Sequence, residues 1–294
     1  MTTRCGFVAV VGRPNVGKST LINAIMGRKI SIVTNKPQTT RHRILAVHTE
    51  ADTQIIFVDT PGIHRKANRA MNRLMNRTAA NALADADLVL FVAEATRWTD
   101  EDEDVLNRLG SVRAPVIALL NKVDRVQPKE RLLEALATMS TRHDFAEIFP
   151  ISALKRDNLA ELMQAIPGYL PESPPMFPEE MHTDRSKEFL AAEVIREKLT
   201  EMLHQEIPYG LTVQIESYEV DDDRITIHAI ILVDRDSQKG IVVGKGGHVL
   251  KTVGQSARLE LCELLDSRVH LELWVKVKDN WSDSEQDLLR LGYE

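Results

Sequence analysis

Apolar and polar positions follow two different patterns along this chain of 294 residues, and the change falls near residue 185. Before it, short unbroken apolar runs recur at Phe7–Val11, Gln54–Val58, Leu88–Val92, Ala114–Leu120 and Glu147–Ile151, separated by stretches with helical spacing such as Thr20–Met26. β-Branched runs alternating with helices predict an α/β domain, a mostly parallel sheet with helices on both faces. Gly27 to Asp52 holds Lys36–His42, polar and interrupted by Pro37, and reads as one long loop, functional or mobile. After residue 185, Ala192, Ile195, Leu199 and Met202 recur at helical spacing. Leu211–Tyr218 and Ile225–Val233 then alternate, and the acidic Val220 to Asp223 between them reads as a hairpin turn. A helix to about Leu265 presents Leu250, Val253, Ala257 and Leu261 on one face, and Val269–Val277 is a last strand. That order (helix, strand, strand, short helix, helix, strand) predicts a smaller α+β domain.

The prolines of Pro167 to Asp184 cannot continue a helix and predict a semi-extended linker. The expected organisation is therefore a first domain over 1–170, a linker over 171–184, a second domain over 185–280 and a tail over 281–294. A hydrophobic fraction of 43% suits two ordinary cores. Cys5 and Cys262 stand far apart and make no disulfide framework, which suits a reducing cytoplasm. No apolar run reaches membrane-spanning length, and the first residues lack a signal-peptide core. A net charge of −6 confines any nucleic-acid site to a local patch.

Gly12-Arg13-Pro14-Asn15-Val16-Gly17-Lys18-Ser19 joins the first strand to the first helix and fits a phosphate-binding loop. Its backbone N–H groups and the helix N-terminus, with Thr20 beside them, would cradle phosphate oxygens. Lys18 would reach the β- and γ-phosphates and Ser19 would ligate Mg²⁺. Either Thr39 or Thr40 could add a second hydroxyl and sense the γ-phosphate; Thr40 is preferred. Asp59-Thr60-Pro61-Gly62 ends the second apolar run. Asp59 would hold a Mg²⁺-bound water, and the Gly62 N–H would feel hydrolysis. The basic, Met-rich stretch from Ile63 to Leu83 is read as a mobile loop entering a helix, its arginines as a solvated face. Trp98 to Asp104 reads as an acidic helix start that suits the helix dipole. Asn121-Lys122-Val123-Asp124 follows the fourth run. A buried Asp124 carboxylate would accept from guanine N1–H and the exocyclic amine, donors that adenine lacks at those positions. Asn121 would meet the other base edge and tie loops together, and the Lys122 stem would lie along the base. Backbone N–H groups of Ser152 and Ala153 would meet guanine O6. Together these motifs resemble the signature of the translation-factor class of GTPases, with GTP, GDP and Mg²⁺ as the implied ligands.

In the second domain, Gly244-Lys245-Gly246-Gly247 lies between two helical stretches, as a G-x-x-G loop does where a single strand approaches closely. Lys239, Lys245, His248, Lys251 and Arg258 cluster around it and could meet phosphates. The segment resembles a KH domain of the second topological type. With Gln38–Arg43 and Leu271–Val277, the whole chain resembles the Era family of bacterial GTPases. The resemblance implies binding of the single-stranded 3′ end of 16S rRNA and a role in assembly of the small (30S) ribosomal subunit. It also implies loose contact with the cytoplasmic membrane face, for which no sequence feature stands. The chain is expected to act as a monomer. Ile63 stands where small signalling GTPases carry a water-orienting Gln, and Asn15 stands where some relatives hold K⁺; the resemblance implies turnover accelerated by K⁺. Gly246 lacks the side chain that relatives often have there. The competing expectation is a GTP-gated protein- or membrane-binding module that touches no RNA, suited by the acidic second domain and by Met71–Met75.

Overall fold

A computed structural model describes residues 3–62, 69–203 and 210–293. The chain divides into two units.

The first unit holds a six-stranded sheet in the order β2-β3-β1-β4-β5-β6. Its strands are β1 (Arg4–Val11), β2 (Ile44–Glu50), β3 (Thr53–Asp59), β4 (Leu88–Glu94), β5 (Val116–Asn121) and β6 (Glu147–Pro150). All neighbours run parallel except β2 and β3. The helices are α1 (Lys18–Met26), α2 (Ala70–Ala84), α3 (Asp100–Leu109), α4 (Glu130–Ser140) and α5 (Leu159–Ala165). Val8 to Val11 and Leu88 to Ala93 are almost wholly buried, as unbroken apolar runs covered on both faces should be. β1 lies between β3 and β4, where connections leave in opposite directions, so a crevice opens beyond its carboxyl end.

Three expectations change. The last part of the segment read as a loop is β2: Ile44, Leu45, Ala46 and Val47 are buried, and the strand pairs back onto β3 through a tight turn at Ala51, which has φ 48°. The proline-rich stretch belongs to the first unit by its contacts. Gln54 Oε1 accepts from the Met176 and Phe177 N–H groups at 2.8 and 2.9 Å, and the Leu45 N–H donates to Asp184 at 3.0 Å. Backbone groups that prolines leave available are thus satisfied by the first unit's strands rather than by water. Met71 and Met75 are buried on α2 and belong to the core, while Arg69, Arg73 and Arg77 are exposed. Ile63, Arg65 and Lys66 lie outside the described residues.

The second unit holds β7 (Leu211–Asp221), β8 (Arg224–Val233) and β9 (Arg268–Val277), with β8 central, antiparallel to β7 and parallel to β9. α6 (Lys187–Met202) and α8 (His248–Leu265) cover one sheet face. Ile225, Ile227, Ala229, Ile231 and Val233 point into that layer with the period of two expected of a half-buried strand. α7 (Asp236–Val243) leads into the glycine loop before α8. The terminal stretch with α9 (Glu285–Arg290) is packed: Trp281 and Tyr293 are buried, and Tyr293 Oη meets Thr212 Oγ1 at 2.9 Å. Ile32–Thr39 also cluster with this unit. The Val33 N–H donates to Glu197 at 2.8 Å, the Lys36 ammonium donates to the Thr200 and Leu203 carbonyls, and the Arg196 guanidinium donates to the Thr39 carbonyl. Glu193 holds Arg196 with contacts of 2.6 and 2.7 Å.

Candidate nucleotide site and nucleic-acid interface

The phosphate loop, Asp59–Gly62, Asn121–Asp124 and Ser152–Ala153 follow the carboxyl ends of parallel strands, which share one edge of the sheet, and Thr40 reaches the same edge ahead of the amino end of antiparallel β2. The loop after β1 passes into α1 through Gly17 at φ 105°, where a Cβ would approach Asn121 Nδ2 to 2.4 Å; only glycine fits. Lys18 is 7% exposed and its ammonium donates to the Gly12 and Arg13 carbonyls at 2.9 and 3.0 Å. Burial lowers its pKa to about 8, the Asp59 carboxylate opposing.

Bound polyphosphate stabilises the ammonium and raises that pKa again. Above about pH 8 the complex therefore holds more protons than the free protein, so affinity is highest below that pH and falls as pH rises through it. Calorimetry of GDP binding in two buffers of different ionisation heat should show proton uptake at about pH 8.7 and much less at about pH 7.3.

Ser19 Oγ lies 2.9 Å from both Thr40 Oγ1 and Asp59 Oδ2. Thr39 is turned elsewhere, its hydroxyl on Thr34 Oγ1 at 2.6 Å and the Lys36 carbonyl at 2.7 Å. Asp59 is fully buried and its Oδ1 has no hydrogen-bond partner. Burial raises the Asp59 pKa, against the Ser31 hydroxyl, the Lys18 ammonium and the Ser19 hydroxyl. Two hydroxyls converging on a buried carboxylate with an orphaned oxygen fit Mg²⁺, a hard ion that takes oxygen ligands and keeps several waters. Thr60 Oγ1 is spent on the Val10 carbonyl at 2.8 Å and so braces β1. Gly62 lies against Pro14, where a Cβ would stand 2.9 Å from the ring.

Asn121 ties three loops. Its Nδ2 donates to the Val16 carbonyl at 2.8 Å, and its Oδ1 accepts from the Lys122 and Ala153 N–H groups at 2.8 and 3.0 Å. Asp124 is exposed, not buried as expected, and its Oδ1 accepts from Ser152 Oγ at 2.6 Å. The Ser152 N–H donates to the Asp157 carbonyl at 3.2 Å, and the Ala153 N–H donates to Asn121 Oδ1 at 3.0 Å. Ser152 orients the carboxylate with its hydroxyl.

Two residues that sequence reasoning passed over complete this site. Glu94, at the end of β4, accepts from Arg13 Nη2 at 2.9 Å and from Lys122 Nζ at 3.2 Å, while the same ammonium donates to the Asn15 carbonyl at 2.9 Å. Burial would raise the Glu94 pKa, but Lys122 and Arg13 outweigh it and hold it low. Asp102, fully buried at the start of α3, accepts from Arg13 Nε at 2.9 Å and from the Thr99 N–H and hydroxyl. The Arg13 side chain therefore braces the phosphate loop from behind. Asn15 holds φ 63° in the same loop.

In the second unit, Gly244 at φ 74° folds the loop onto α8, where a Cβ would reach Val249 Cγ2 at 2.5 Å. Gly246 and Gly247 are also left-handed, and a Cβ on either would meet nothing within 4 Å, so the loop's outer side is open. Lys239, Lys245, His248 and Lys251 are exposed at or beside it, with apolar Ile241 also exposed, while Arg258 and Leu259 are exposed about 15 Å further along α8. Cations, open backbone and apolar surface together suit phosphates flanked by unstacked bases.

The two units thus define a P-loop GTPase domain followed by a KH-type domain. The family described as 50S ribosome-binding GTPase matches residues 7–122, and the KH domain family matches residues 206–282. The GTPase Era of Actinobacillus pleuropneumoniae serotype 5b (strain L20) is 51% identical over 292 residues, covering 99% of this chain and 96% of the relative. That of Marinobacter nauticus is 50% identical over 290 residues, covering 99% and 95%. Among solved structures, Era in complex with MgGDPNP and nucleotides 1506–1542 of 16S ribosomal RNA is 41% identical, covers 99% of each chain and superposes with a TM-score of 0.95. A single-residue variant of Aquifex aeolicus Era bound to GDP·AlF4⁻ is 40% identical over the same coverage, with a TM-score of 0.93. The chain belongs to the Era family of GTPases.

Proposed function

We propose that this protein is a GTP-hydrolysing switch that binds the single-stranded 3′ end of 16S rRNA and acts in assembly of the small ribosomal subunit. The observation that carries the reading is the pairing of two complete sites in one chain. Ser19, Thr40 and Asp59 converge in one, and an open, cation-rimmed Gly244–Gly247 loop forms the other. Lys18 and the loop N–H groups bind the β- and γ-phosphates, Asp124 and Lys122 hold guanine, and Gly62 reports the γ-phosphate. Mg²⁺, held by Ser19 and Thr40 with Asp59 behind a water, neutralises developing charge on the phosphates. Support for a switch comes from the chain around Thr40. Its hydroxyl faces Ser19, so the order of this segment can depend on the γ-phosphate. Where that order changes RNA access, RNA must bias GTP affinity by the same factor.

The reading extends to K⁺ as an accelerator acting through Asn15, in a chain whose Ile63 cannot orient water. Hydrolysis should be faster in K⁺ than in Na⁺, and Asn15→Ala should remove the difference; equal wild-type rates in the two salts would dispose of this role. Among the described residues no helix is long and apolar enough to cross a membrane. Action on the ribosomal subunit favours a cytoplasmic protein, read here as a monomer whose membrane contact, where made, is peripheral. Burial of Met71 and Met75 removes one support for the alternative of a protein- or membrane-binding module.

The test is a variant with Lys245→Asp and Gly246→Asp. Asp tolerates the left-handed backbone at Gly246, so the fold should survive. Binding of an RNA matching the 3′ end of 16S rRNA should weaken roughly tenfold or more at fixed salt, with GTP hydrolysis retained. Unchanged RNA binding would place the RNA interface elsewhere or nowhere.

A further inference from the structure

We infer that Ser31 is a positioning residue of the Mg²⁺ site, where its hydroxyl orients Asp59 and a water of the metal's shell. The inference rests on the nucleotide reading above. Ser31 is 2% exposed, and its Oγ has no hydrogen-bond partner. A buried, unpaired hydroxyl is costly and calls for a partner that arrives with a ligand. The other orphaned oxygen nearby is Asp59 Oδ1. The Ser31 and Asp59 side chains are neighbours, yet they do not meet hydrogen-bond geometry. A metal-bound water set between them would satisfy both, donating to Asp59 Oδ1 and accepting from or donating to Ser31 Oγ.

The backbone of Ser31 is fixed for such a task. Asn23, near the end of α1, accepts from the Ile30 and Ser31 N–H groups at 2.8 and 3.0 Å, and its Nδ2 donates to the Ser31 carbonyl at 2.7 Å. Ile30 and Ile32 are buried on either side. One asparagine on α1 therefore holds the hydroxyl in register with Ser19, which stands on the first turn of the same helix and bonds the other Asp59 oxygen. Partners of metal ligands typically change affinity by about ten- to a hundredfold when removed.

The experiment is the Mg²⁺ dependence of GDP release, read with fluorescent GDP in wild type, Ser31→Ala and Ser31→Thr. The readout is the Mg²⁺ concentration that gives half-maximal retention, together with the release rate in excess chelator. Ser31→Ala should raise the Mg²⁺ midpoint roughly tenfold and leave the chelator rate unchanged, and Ser31→Thr should restore the midpoint. An Ala midpoint equal to wild type would overturn the inference while leaving the nucleotide reading intact. Faster release by Ser31→Ala in chelator, with no shift in midpoint, would show a merely structural hydroxyl and overturn it too. A wild type indifferent to Mg²⁺ would overturn both.

Discussion

Asp124→Asn is expected to weaken GTP binding roughly a hundred- to a thousandfold and to create binding of xanthosine triphosphate. The carboxylate accepts from guanine N1–H and the exocyclic amine, two charge-assisted bonds of which the amide can replace only one. Xanthine keeps N1–H but carries an oxygen acceptor in place of the amine, so an amide offering one acceptor and one donor is its complement. The structure adds that Ser152 Oγ donates to the Asp124 carboxylate at 2.6 Å and so orients it. Competition binding with GTP, ATP and xanthosine triphosphate reads the exchange; ATP should remain excluded by both proteins. A variant that still prefers GTP would remove Asp124 from base recognition.

Asp102→Ala should cost about 3 kcal/mol of stability, the lower end for breaking a buried ion pair, because Glu94 still pairs with Arg13. For a unit of this size that is a fall in Tm of roughly 6–12 °C. The same carboxylate also accepts the Thr99 N–H and hydroxyl that begin α3, so the helix start frays with it. Arg13 stands inside the phosphate loop, and GDP should be released faster from the variant as well. Thermal unfolding with and without GDP separates the two effects: an equal loss in both would mean that Asp102 supports the helix and not the loop, and a larger loss with GDP would show the loop weakened as well. Asp102→Asn, which keeps the cap but not the charge, should fall between wild type and Asp102→Ala.

What the sequence made legible was local. Phosphate loop, Asp59-Thr60-Pro61-Gly62 and Asn121–Asp124 each follow an apolar run, and strand-end placement is enough to bring them together. The element order of the second unit was equally open to reading, because alternation and helical spacing do not depend on distant partners. What escaped depends on residues far apart in sequence. Arg13 meets Glu94 and Asp102 across 81 and 89 residues, and nothing in an acidic helix start distinguishes Asp102 from its solvated neighbours. The pattern did hold one clue, since Asp102 stands three residues after a capping Thr99. Strand β2 was hidden because polar loop residues run directly into Ile44, and its turn at Ala51 lacks the usual glycine or asparagine signal. Ser31 carries no motif; only its burial beside Asp59 singles it out.

The central claim, that GTP and RNA are coupled in one chain, is tested most directly by one titration. An RNA matching the 3′ end of 16S rRNA is bound to the protein loaded with GDP or with a non-hydrolysable GTP analogue, at fixed salt and beside a scrambled RNA. Binding should be tighter and sequence-dependent in the analogue state, mirrored by tighter analogue binding when RNA is present. Equal affinity in both nucleotide states would contradict the switch, and no preference over the scrambled RNA would contradict the rRNA assignment itself.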